Sequence, residues 1–378
     1  MRVALFTECY HPIVNGVVVS VATFASALIR QGHDVHIFAP RYFGYCDREP
    51  NVHRLRTLSR PTWTMYPLTL PFSTNFYKSL LDREPPDIVH ANHPFLTGGE
   101  ARRVARRLTR PLVFTYHTII RAYAHYVPFP QPIVRRLAVQ ISRNYANSAS
   151  CVIVPTQATA DLLRSYGVKT RLEIIPTGLD MHLIAAVPRQ PIRVRYHIPE
   201  GVPLVCYSGR LAKEKSLDLL LKAFQQVRKS HPEAHLLLVG GGPWEAAIRE
   251  CADVLGVADR VRFTGFLSRS DVFDCLAEAE VFAFPSLTDT QGLVVLEAMA
   301  LGCPAVAVHS GAVVDIIREG VDGLIVSPTA EALADGLGRV LASSELRNQL
   351  ASQAQQRAQE FTAEKMTHRL VAVYKSLL

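Results

Sequence analysis

Short apolar runs alternate with helical stretches along this chain, and the alternation restarts once, near residue 200. The first half opens with predicted strands at Val3–Phe6 and Val35–Ala39, separated by a predicted helix at Val17–Arg30. The second half opens in the same way with strands at Leu204–Tyr207 and His235–Val239. Strands that alternate with helices favour doubly wound parallel sheets. We therefore expect an α/β protein of two Rossmann-like domains facing across a cleft, which is the default ligand site.

The domain boundaries follow from the same pattern. Further strands are predicted at Ile88–His90, Leu112–Tyr116, Cys151–Val154, Glu173–Ile175, Val261–Phe263, Val281–Phe284, Ala305–Val308 and Leu324–Val326. The segment from Gly178 to Gly201 has three prolines and no clear periodicity, which is typical of a linker. We expect an N-terminal domain over residues 1–180, a linker over 181–200 and a C-terminal domain over 201–362. The last stretch, Ala363–Leu378, has helical periodicity with no following strand.

Composition excludes several classes of protein. Of the 378 residues, 48% are hydrophobic and 20% are charged, so the chain is not intrinsically disordered. No apolar run reaches the roughly 18 residues that a membrane helix needs, and the apolar start is too short for a signal peptide. The seven cysteines are odd in number and form no CxxC pair, which favours reduced, buried thiols. We expect a cytoplasmic protein, associated peripherally with the cytoplasmic membrane.

The positive charge lies in one half of the chain. Residues 1–180 carry 21 Lys and Arg against 11 Asp and Glu, whereas the remainder carries 20 against 22. A one-sided field indicates an anionic partner, which is nucleic acid, an anionic substrate or a membrane surface. Nucleic acid is the weakest of these, because no recognisable nucleic-acid-binding module accompanies the charge.

Two motifs follow strands of the second half. Ser208–Lys215 follows a strand and precedes a helix, and its Arg210 and Lys215 are suited to clamp a diphosphate. Cations are unfavourable at a helix start, which favours this reading over a merely solvated basic loop. The second motif contains Asp289, Gly292 and Glu297. Its two carboxylates either hydrogen-bond sugar hydroxyls or cap the following helix, and the residues alone leave both readings open.

Two features of the first half face the expected cleft. His117 follows the strand Leu112–Tyr116, and Gly16 follows Asn15 in the first strand-to-helix turn. The alternatives are a structural histidine and an ordinary turn glycine. Gly240 begins a glycine run that lacks the dinucleotide fingerprint, so we interpret it as a tight turn. No DxD, HExxH or clustered His and Cys motif is present, so we expect no essential metal in the active site.

Taken together, these motifs resemble the retaining glycosyltransferases of family 4, which have the GT-B fold. The resemblance spans nearly the whole chain. It rests on the turn at Gly16, Gly209-Arg210 with Glu214-Lys215, the turn after Gly240, Gly265-Phe266-Leu267 and the motif Pro285–Ala300. The paired acidic motif of the family is Glu-x7-Glu. Here it reads Asp289-x7-Glu297, one methylene shorter at the first position.

The resemblance implies a role for each matching residue. Arg210 and Lys215 would neutralise the departing diphosphate of a nucleotide-sugar donor, and Glu297 would hold the ribose. Asp289 would contact the donor sugar, and His117 would lie beside the sugar and the acceptor. The remaining donor-side residues are Gly16, which would allow domain closure; Gly292, Leu293 and Val294, whose backbone would meet the diphosphate; and Arg262, Phe266 and Leu267, which would flank the base. The final helix would cross back onto the N-terminal domain.

Mechanism and cofactors follow from the same resemblance. The family expectation is a front-face substitution in which the leaving phosphate acts as the base. A double displacement would need a carboxylate nucleophile, and Asp289 is the best candidate in the sequence. Two cations and a helix start would stabilise the leaving group without a metal. No prosthetic group is expected, and the donor is a substrate.

The acceptor is expected to bind the basic N-terminal domain. Arg103, Arg106, Arg107 and Arg110 share one helical face, and the aromatic segment Tyr123, His125 and Tyr126 follows. Basic and aromatic residues side by side suit an anionic membrane surface, although a solvated arginine-rich helix remains the alternative. The aromatic segment resembles the family branch that glycosylates diacylglycerol.

Three functions are therefore predicted in order. The first is transfer of glucose from UDP-glucose to diacylglycerol, which gives an α-glycolipid. The second is mannosyl transfer from GDP-mannose to a phosphatidylinositol-type or soluble sugar acceptor. The third, from another class, is a GT-B nucleotide-sugar epimerase or hydrolase that needs no acceptor.

Overall fold

The computed structural model describes residues 1–47, 49–58, 67–185 and 191–378, and it divides the chain into two compact units. Unit 1 comprises Met1–Gly178 with Ala363–Leu378, and unit 2 comprises Leu179–Thr362. The strands of unit 1 are β1 (Arg2–Phe6), β2 (Asp34–Pro40), β3 (Val52–Leu55), β4 (Thr57–Leu58), β5 (Leu68–Thr69), β6 (Ile88–Ala91), β7 (Leu112–Thr115), β8 (Cys151–Val154) and β9 (Leu172–Ile174). Seven of them form a parallel sheet in the order β3-β2-β1-β6-β7-β8-β9, and β4 pairs with β5.

Helices cover both faces of this sheet. They are α1 (Gly16–Arg30), α2 (Lys78–Arg83), α3 (Leu96–Leu108), α4 (Gln131–Ala146) and α5 (Gln157–Ser165). Successive residues of a strand point to opposite faces, so Val3 and Leu5 of β1 pack in one core cluster while Ala4 and Phe6 pack in the other. Asn15 caps α1, because its side chain accepts a hydrogen bond from the Val18 N–H at 2.9 Å.

Unit 2 repeats this architecture. Its strands are β10 (Leu204–Ser208), β11 (His235–Val239), β12 (Val261–Phe263), β13 (Val281–Phe284), β14 (Ala305–Val308) and β15 (Gly323–Val326), and its helices are α6 (Met181–Ala185), α7 (Ile192–Arg195), α8 (Leu217–Ser230), α9 (Glu245–Val254), α10 (Arg269–Ala277), α11 (Leu293–Ala300), α12 (Ala330–Ala342) and α13 (Ser344–Ala358). The parallel sheet has the order β12-β11-β10-β13-β14-β15. Both units therefore have the strand order of Rossmann-type sheets, and the predicted fold class is confirmed.

The final helix α14 (Ala363–Lys375) belongs to unit 1, where it packs against α1. Its Tyr374 is completely buried, and the Tyr374 hydroxyl lies 2.5 Å from Nδ1 of His90 on β6. Nε2 of His90 bonds Thr115 Oγ1 at 2.6 Å, and burial lowers the pKa of His90 to about 3. A neutral His90, with both ring nitrogens hydrogen-bonded, therefore connects the final helix to the sheet of unit 1.

Two parts of the chain differ from the sequence-based expectation. The segment predicted as a linker contains α6 and α7, and its described residues belong to unit 2. The reason is burial: Ile192 and Ile198 enter the core, and Arg193 bonds Glu280 at 3.0 Å. The stretch from Arg41 to Pro86, in which no strand was predicted, contains β3, β4, β5 and α2, with residues 48 and 59–66 outside the described ranges.

The contact between His90 and Tyr374 makes a testable prediction. Tyr374→Phe leaves a buried ring nitrogen of His90 unpaired, which should lower the free energy of unfolding by about 1–3 kcal/mol. Tyr166→Phe is the matched control, because the buried Tyr166 hydroxyl has no hydrogen-bond partner among the described residues. Urea denaturation of both variants measures the difference. Equal stability of the two variants would contradict the anchoring role of Tyr374.

Candidate active site

The chemistry-bearing loops of both units lie where the strand order reverses. In unit 1 this point lies between β1 and β6, and in unit 2 between β10 and β13. The loops after two such neighbouring strands diverge to opposite faces of the sheet and leave a crevice at its carboxyl edge. Gly209–Lys215 follows β10, and Ser286–Gly292 follows β13. The two motifs singled out in the second half of the sequence are thus brought together.

Two ion pairs organise the donor-side loops of unit 2. Nζ of Lys215 lies 2.5 Å from Oδ1 of Asp289, which joins the loop after β10 to the loop after β13. Arg210 pairs with the buried carboxylate of Glu214. The Thr288 hydroxyl donates a hydrogen bond to the Glu214 carbonyl at 3.1 Å, which ties the same two loops a second time. The two predicted cations are therefore held in place by carboxylates.

Asp289 retains an acceptor that the described protein does not use. Its Oδ1 bonds Lys215, whereas its buried Oδ2 has no hydrogen-bond partner among the described residues. The buried hydroxyls of Ser286 and Ser310, which follow β13 and β14, also lack described partners. Buried polar atoms are nearly always satisfied in proteins, so three such atoms at one sheet edge indicate the place of a polar ligand. Neither serine was predicted from the sequence as a site residue.

The start of α11 supplies backbone donors beside these groups. Gly292 precedes this helix, and the first amides of any helix have no partner within it. The N–H of Gly292 donates to the Ala312 carbonyl at 3.2 Å, which fixes the helix start against the loop after β14. A Cβ on Gly292 would lie 3.1 Å from the Val295 side chain, so the close packing favours glycine. Leu293 and Val294 occupy the first turn, where their amides can meet an anion.

Glu297 lies one turn further along α11. It is 7% exposed, and its Oε1 accepts a hydrogen bond from Arg269 at 2.5 Å. Burial raises the pKa of Glu297, and the Arg269 guanidinium partly offsets this rise. Arg269 was missed by sequence reasoning, although a cation at the first position of α10 is as unfavourable by the dipole rule as Lys215 is before α8.

The residues predicted to flank a base are separated. The exposed ring of Phe266 lies against Gly241, where a Cβ would approach it to 2.7 Å, and Leu267 packs on the core. Arg262 points elsewhere: its guanidinium donates to the carbonyls of Asp259 and Tyr196. Because residue 259 precedes β12, these bonds hold Arg262 toward the amino end of the strand. The structure therefore does not bring Arg262 to the loops after β10 and β13, contrary to the expectation that it flanks a base beside them.

The turn at Gly240 has the tight geometry that the sequence predicted. Its φ of +124° lies in the region that favours glycine, and a Cβ would lie 2.2 Å from the Gly209 carbonyl oxygen. The loop after β11 can approach the loop after β10 this closely only because residue 240 is glycine.

Unit 1 contains a cavity of about 520 Å³ at the carboxyl edge of its own sheet. Its walls are mainly apolar, and they include Leu68, Phe95, Leu96, Phe114, Tyr116, Ile120 and Tyr123. Five polar side chains also line it: Glu8 after β1, Asn92 and His93 after β6, and His117 and Thr118 after β7. Concave apolar sites of a few hundred Å³ with a few convergent polar groups are typical of small-molecule sites.

His117 has a defined orientation in this cavity. The Asn92 amide donates to the Phe6 carbonyl at 3.2 Å, so its Oδ1 is left to accept from Nε2 of His117 at 2.9 Å. Burial, with the nearby His93 and His90 rings, lowers the pKa of His117 well below its usual value. His117 is therefore neutral at pH 7. A Cβ on Gly16 would meet no described atom within 4 Å, so packing does not by itself require glycine at this position.

The arginines of α3 are divided between two roles. Arg103 bonds Glu100 and Asn75, and Arg107 pairs with Asp82 at 3.1 Å. These two side chains hold the segment that precedes α2 and α2 itself, rather than presenting their charge to a distant surface. Arg106 is exposed, whereas Arg110 is half-buried. The predicted basic face is therefore partly used inside unit 1.

The aromatic segment lies in a 3-10 stretch, Ile120–Tyr126, beside the cavity. The rings of Tyr123 and Tyr126 stack with their centroids 6.2 Å apart, and the ring centroids of His125 and Tyr126 lie 4.2 Å apart. Tyr123 also lines the cavity, whereas Tyr126 is half exposed. Within the described ranges, no helix has the length and apolar character required to cross a membrane.

One group of side chains in the described residues could approach a metal ion. It consists of Asp34, His36 and Glu84, whose ligand atoms lie within 4.8 Å of one another. Arg2 already pairs with Asp34 at 2.6 Å and with Glu84 at 3.3 Å. Asp34 begins β2, so the group lies at the amino edge of the sheet, opposite the cavity.

The pair of Arg269 and Glu297 makes a second prediction. Arg269→Met removes the partner of a buried carboxylate and should lower the free energy of unfolding of unit 2 by about 2 kcal/mol at pH 7. The variant also raises the folded-state pKa of Glu297 further. The loss should therefore shrink as the pH falls through the raised folded-state pKa of Glu297, and it should be smallest below the unfolded-state pKa of about 4.3, where the carboxyl is protonated in both states.

Two variants serve as controls in the same denaturation series. Arg195→Met breaks a more exposed pair between the end of α7 and Asp271, which lies on α10 like Arg269. This change should cost less than about 1 kcal/mol. The double variant Arg269→Met/Glu297→Gln should recover most of the lost stability. A pH-independent loss for Arg269→Met would show that packing, not charge, is responsible.

Both halves of the chain match families of known proteins. Residues 14–183 match the family described as Glycosyltransferase Family 4, and residues 188–357 match Glycosyl transferases group 1. The chain is 30% identical over 318 residues to an alpha-monoglucosyldiacylglycerol synthase of Streptococcus pneumoniae, covering 81% of this chain and 71% of the relative.

A second relative and a solved structure extend the comparison. A GDP-mannose-dependent alpha-(1-6)-phosphatidylinositol monomannoside mannosyltransferase of Mycolicibacterium smegmatis is 30% identical over 355 residues, covering 89% of this chain and 88% of the relative. The crystal structure of Anabaena HepE in complex with UDP-glucose superposes with a TM-score of 0.79 at 20% identity, covering 100% of both chains. This structural likeness shows the fold alone.

Proposed function

Because the chain belongs to the glycosyltransferases of group 1 and family 4, we propose that it transfers glucose from UDP-glucose to diacylglycerol, with retention at the anomeric carbon. The observation that supports diacylglycerol as the acceptor is the largely apolar cavity of unit 1. A cavity of this character fits the glycerol end and the first methylenes of a lipid better than a sugar, whose hydroxyls need many polar partners. The synthase relative supports the same acceptor.

The donor would bind unit 2 through the residues described above. Lys215, Arg210 and the first amides of α11 would hold the diphosphate, and Glu297 would accept hydrogen bonds from the ribose. Asp289 would accept a hydrogen bond from a hydroxyl of the glucose through its unused Oδ2. HepE, a solved structure with the same fold, was crystallised in complex with UDP-glucose, which supports the proposal of this donor.

The reaction would proceed by front-face substitution. The acceptor oxygen forms a bond to the anomeric carbon, the bond from that carbon to the diphosphate oxygen breaks, and the acceptor proton passes to the departing phosphate. Negative charge develops on the diphosphate, where Arg210 and Lys215 are already positioned by their carboxylate partners. Preorganised charges of this kind stabilise a transition state without having to reorient during the reaction. His117, neutral and fixed by Asn92, would lie beside the sugar and the acceptor.

A mannosyltransferase is the second candidate. The mannosyltransferase relative is as similar in identity as the synthase and covers more of this chain. Under this alternative the donor is GDP-mannose and the acceptor a phosphatidylinositol-type lipid. The donor-side residues would keep their roles, because the diphosphate and the ribose are common to both donors.

The assay that separates these functions uses radiolabelled UDP-glucose or GDP-mannose with micelles of dioleoylglycerol or phosphatidylinositol, followed by organic extraction. We expect label in the organic phase with UDP-glucose and dioleoylglycerol. Label only with GDP-mannose and phosphatidylinositol would establish the second candidate. Nucleotide release without extracted label would indicate a hydrolase or a soluble acceptor. Conversion of the donor sugar into its epimer would indicate an epimerase.

A charge variant tests the donor site in the same assay. Lys215→Met should lower the transfer rate about 100-fold or more, because it removes a preorganised cation from the diphosphate. Lys222→Met, on the exposed face of α8, is the matched control and should transfer normally. Normal transfer by Lys215→Met would contradict the assigned role of this residue.

The membrane surface is proposed to contact the start of α4. Phe129, Ile133 and Leu137 are 68%, 64% and 52% exposed, and Ile133 and Leu137 lie one turn apart. Arg135 and Arg136 are exposed on the same segment. Exposed apolar side chains beside arginines favour an interfacial position on an anionic bilayer. This segment would provide the apolar contact with the membrane. The arginines of α3 would contribute less to membrane binding, because some of them are engaged inside unit 1.

Co-sedimentation with vesicles of phosphatidylglycerol and phosphatidylcholine tests this surface. Ile133→Asp/Leu137→Asp should reduce the bound fraction at least tenfold, because it removes two apolar contacts and adds negative charge. The control Val254→Asp changes an apolar residue that is 82% exposed in unit 2. Equal binding of both variants would exclude this segment as the membrane contact.

A further inference from the structure

The polar end of the cavity in unit 1 contains two groups that the proposed mechanism does not use. They are Glu8, two residues after β1, and His93, two residues after β6. β1 and β6 are the neighbouring strands at which the order of the sheet reverses, so both side chains start from the crevice of unit 1. Neither residue was identified from the sequence.

One hydrogen bond fixes the tautomer of His93, which lines the cavity. The backbone N–H of Glu8 donates to Nδ1 of His93 at 3.1 Å, so Nδ1 is an acceptor. Burial lowers the pKa of His93 to about 4, and a neutral ring that accepts at Nδ1 carries its proton on Nε2. Since His93 lines the cavity, this N–H is available to a ligand there.

Glu8 is the complementary acceptor. Its Oε1 accepts a hydrogen bond from the Thr97 N–H at 2.7 Å, in the first turn of α3, which has no capping side chain of its own. Burial raises the pKa of Glu8, and the backbone donors at the start of α3 offset part of this rise. A carboxylate has about four acceptor sites, more than its contacts with Leu96 and Thr97 use, so Glu8 can accept a further hydrogen bond.

The close packing of α3 keeps these groups in place. A Cβ on Gly98 would lie 2.0 Å from the His93 carbonyl oxygen, so the first turn of α3 reaches the His93 backbone only because residue 98 is glycine. The Tyr145 hydroxyl donates to the Gly98 carbonyl at 2.7 Å. The donor of His93 and the acceptor of Glu8 are therefore held on a rigid frame.

We infer that Glu8 and His93 together bind the hydroxyl group of an uncharged, apolar acceptor: the hydroxyl donates to the Glu8 carboxylate and accepts from Nε2–H of His93. This inference rests on the proposed function and names the specificity-determining residues of its acceptor site. A phosphate at the same place would face the Glu8 carboxylate. Among the described lining residues no lysine or arginine would offset that repulsion. The pair therefore selects alcohols over phosphorylated lipids.

Calorimetric binding of soluble short-chain lipids to the intact chain tests the pair without requiring turnover. The probes are dioctanoylglycerol, its 3-O-methyl ether, which cannot donate a hydrogen bond, and dioctanoyl phosphatidic acid. The wild type should bind the alcohol about tenfold or more tightly than either analogue, because a buried polar site rejects a ligand that leaves it unpaired. Equal affinity for the alcohol and the ether would overturn the inference.

Variants separate recognition from a structural role. Glu8→Gln keeps an oxygen for the Thr97 N–H but replaces the second acceptor, so its preference for the alcohol over the ether should fall to less than about threefold. Glu100→Gln is the matched control, because this buried carboxylate also accepts backbone N–H groups near α3 but does not line the cavity. It should keep the full preference. An unchanged preference in Glu8→Gln would overturn the assignment.

Two substitutions of His93 complete the test. His93→Asn retains an acceptor near Nδ1 and removes the donor, so it should bind the alcohol about tenfold more weakly. His93→Gln can place an amide N–H near the position of Nε2 and should restore much of the affinity. Equal affinity of His93→Asn and the wild type would remove His93 from the pair.

The outcomes distinguish this inference from the proposed function. Selective binding of dioctanoylglycerol without transfer from UDP-glucose would retain the hydroxyl pair and reject the glucosyltransferase. Transfer to dioleoylglycerol with an unchanged acceptor KM in Glu8→Gln would retain the function and reject the pair. A wild-type protein that binds none of the probes would overturn the inference, whatever its activity on another acceptor.

Discussion

Parallel pairing of strands is the constraint on which both sites depend. All carboxyl ends of a parallel sheet lie along one edge, and the loops diverge where the strand order reverses. In unit 1 this reversal brings the residues after β1 to those after β6, and in unit 2 it brings the residues after β10 to those after β13. Glu8 meets His93 and Lys215 meets Asp289 for the same topological reason. Each half of the chain thus builds a site from segments about 75 to 85 residues apart.

Charge is arranged differently in the two units. In unit 2 both cations predicted to bind the diphosphate have a carboxylate partner: Lys215 has Asp289, and Arg210 has Glu214. Arg269, which was not predicted, pairs with Glu297 in the same way. Buried or half-buried charges are costly without such partners, and the pairs also fix the direction of the side chains. A glycosyltransferase needs this order, because charge develops on the diphosphate faster than long side chains could be recruited from solvent.

In unit 1 the histidines in and beside the cavity are kept neutral. Burial lowers the pKa values of His90, His93 and His117, and it raises that of Glu8. Hydrogen bonds rather than ion pairs set their orientation, as with Nδ1 of His93 and the Glu8 N–H. Neutral imidazole groups beside one carboxylate in an apolar cavity suit a ligand with one hydroxyl and a large apolar part. The basic residues of this unit lie mostly outside the cavity, several of them in structural pairs.

The sequence by itself determined the two-domain α/β fold, nearly all strands of the two sheets, and the donor-side motifs around Lys215 and Asp289, because periodicity and strand-to-helix turns are local properties. It could not locate the strands between Arg41 and Pro86, nor show that Ile192 and Ile198 make the expected linker part of unit 2. Only the tertiary structure decided that Arg262 points away from the donor-side group, that Arg103 and Arg107 are engaged, and that Glu8 meets His93. Contacts between distant segments depend on which strands become neighbours and on what each side chain finds there, and no local pattern carries that information.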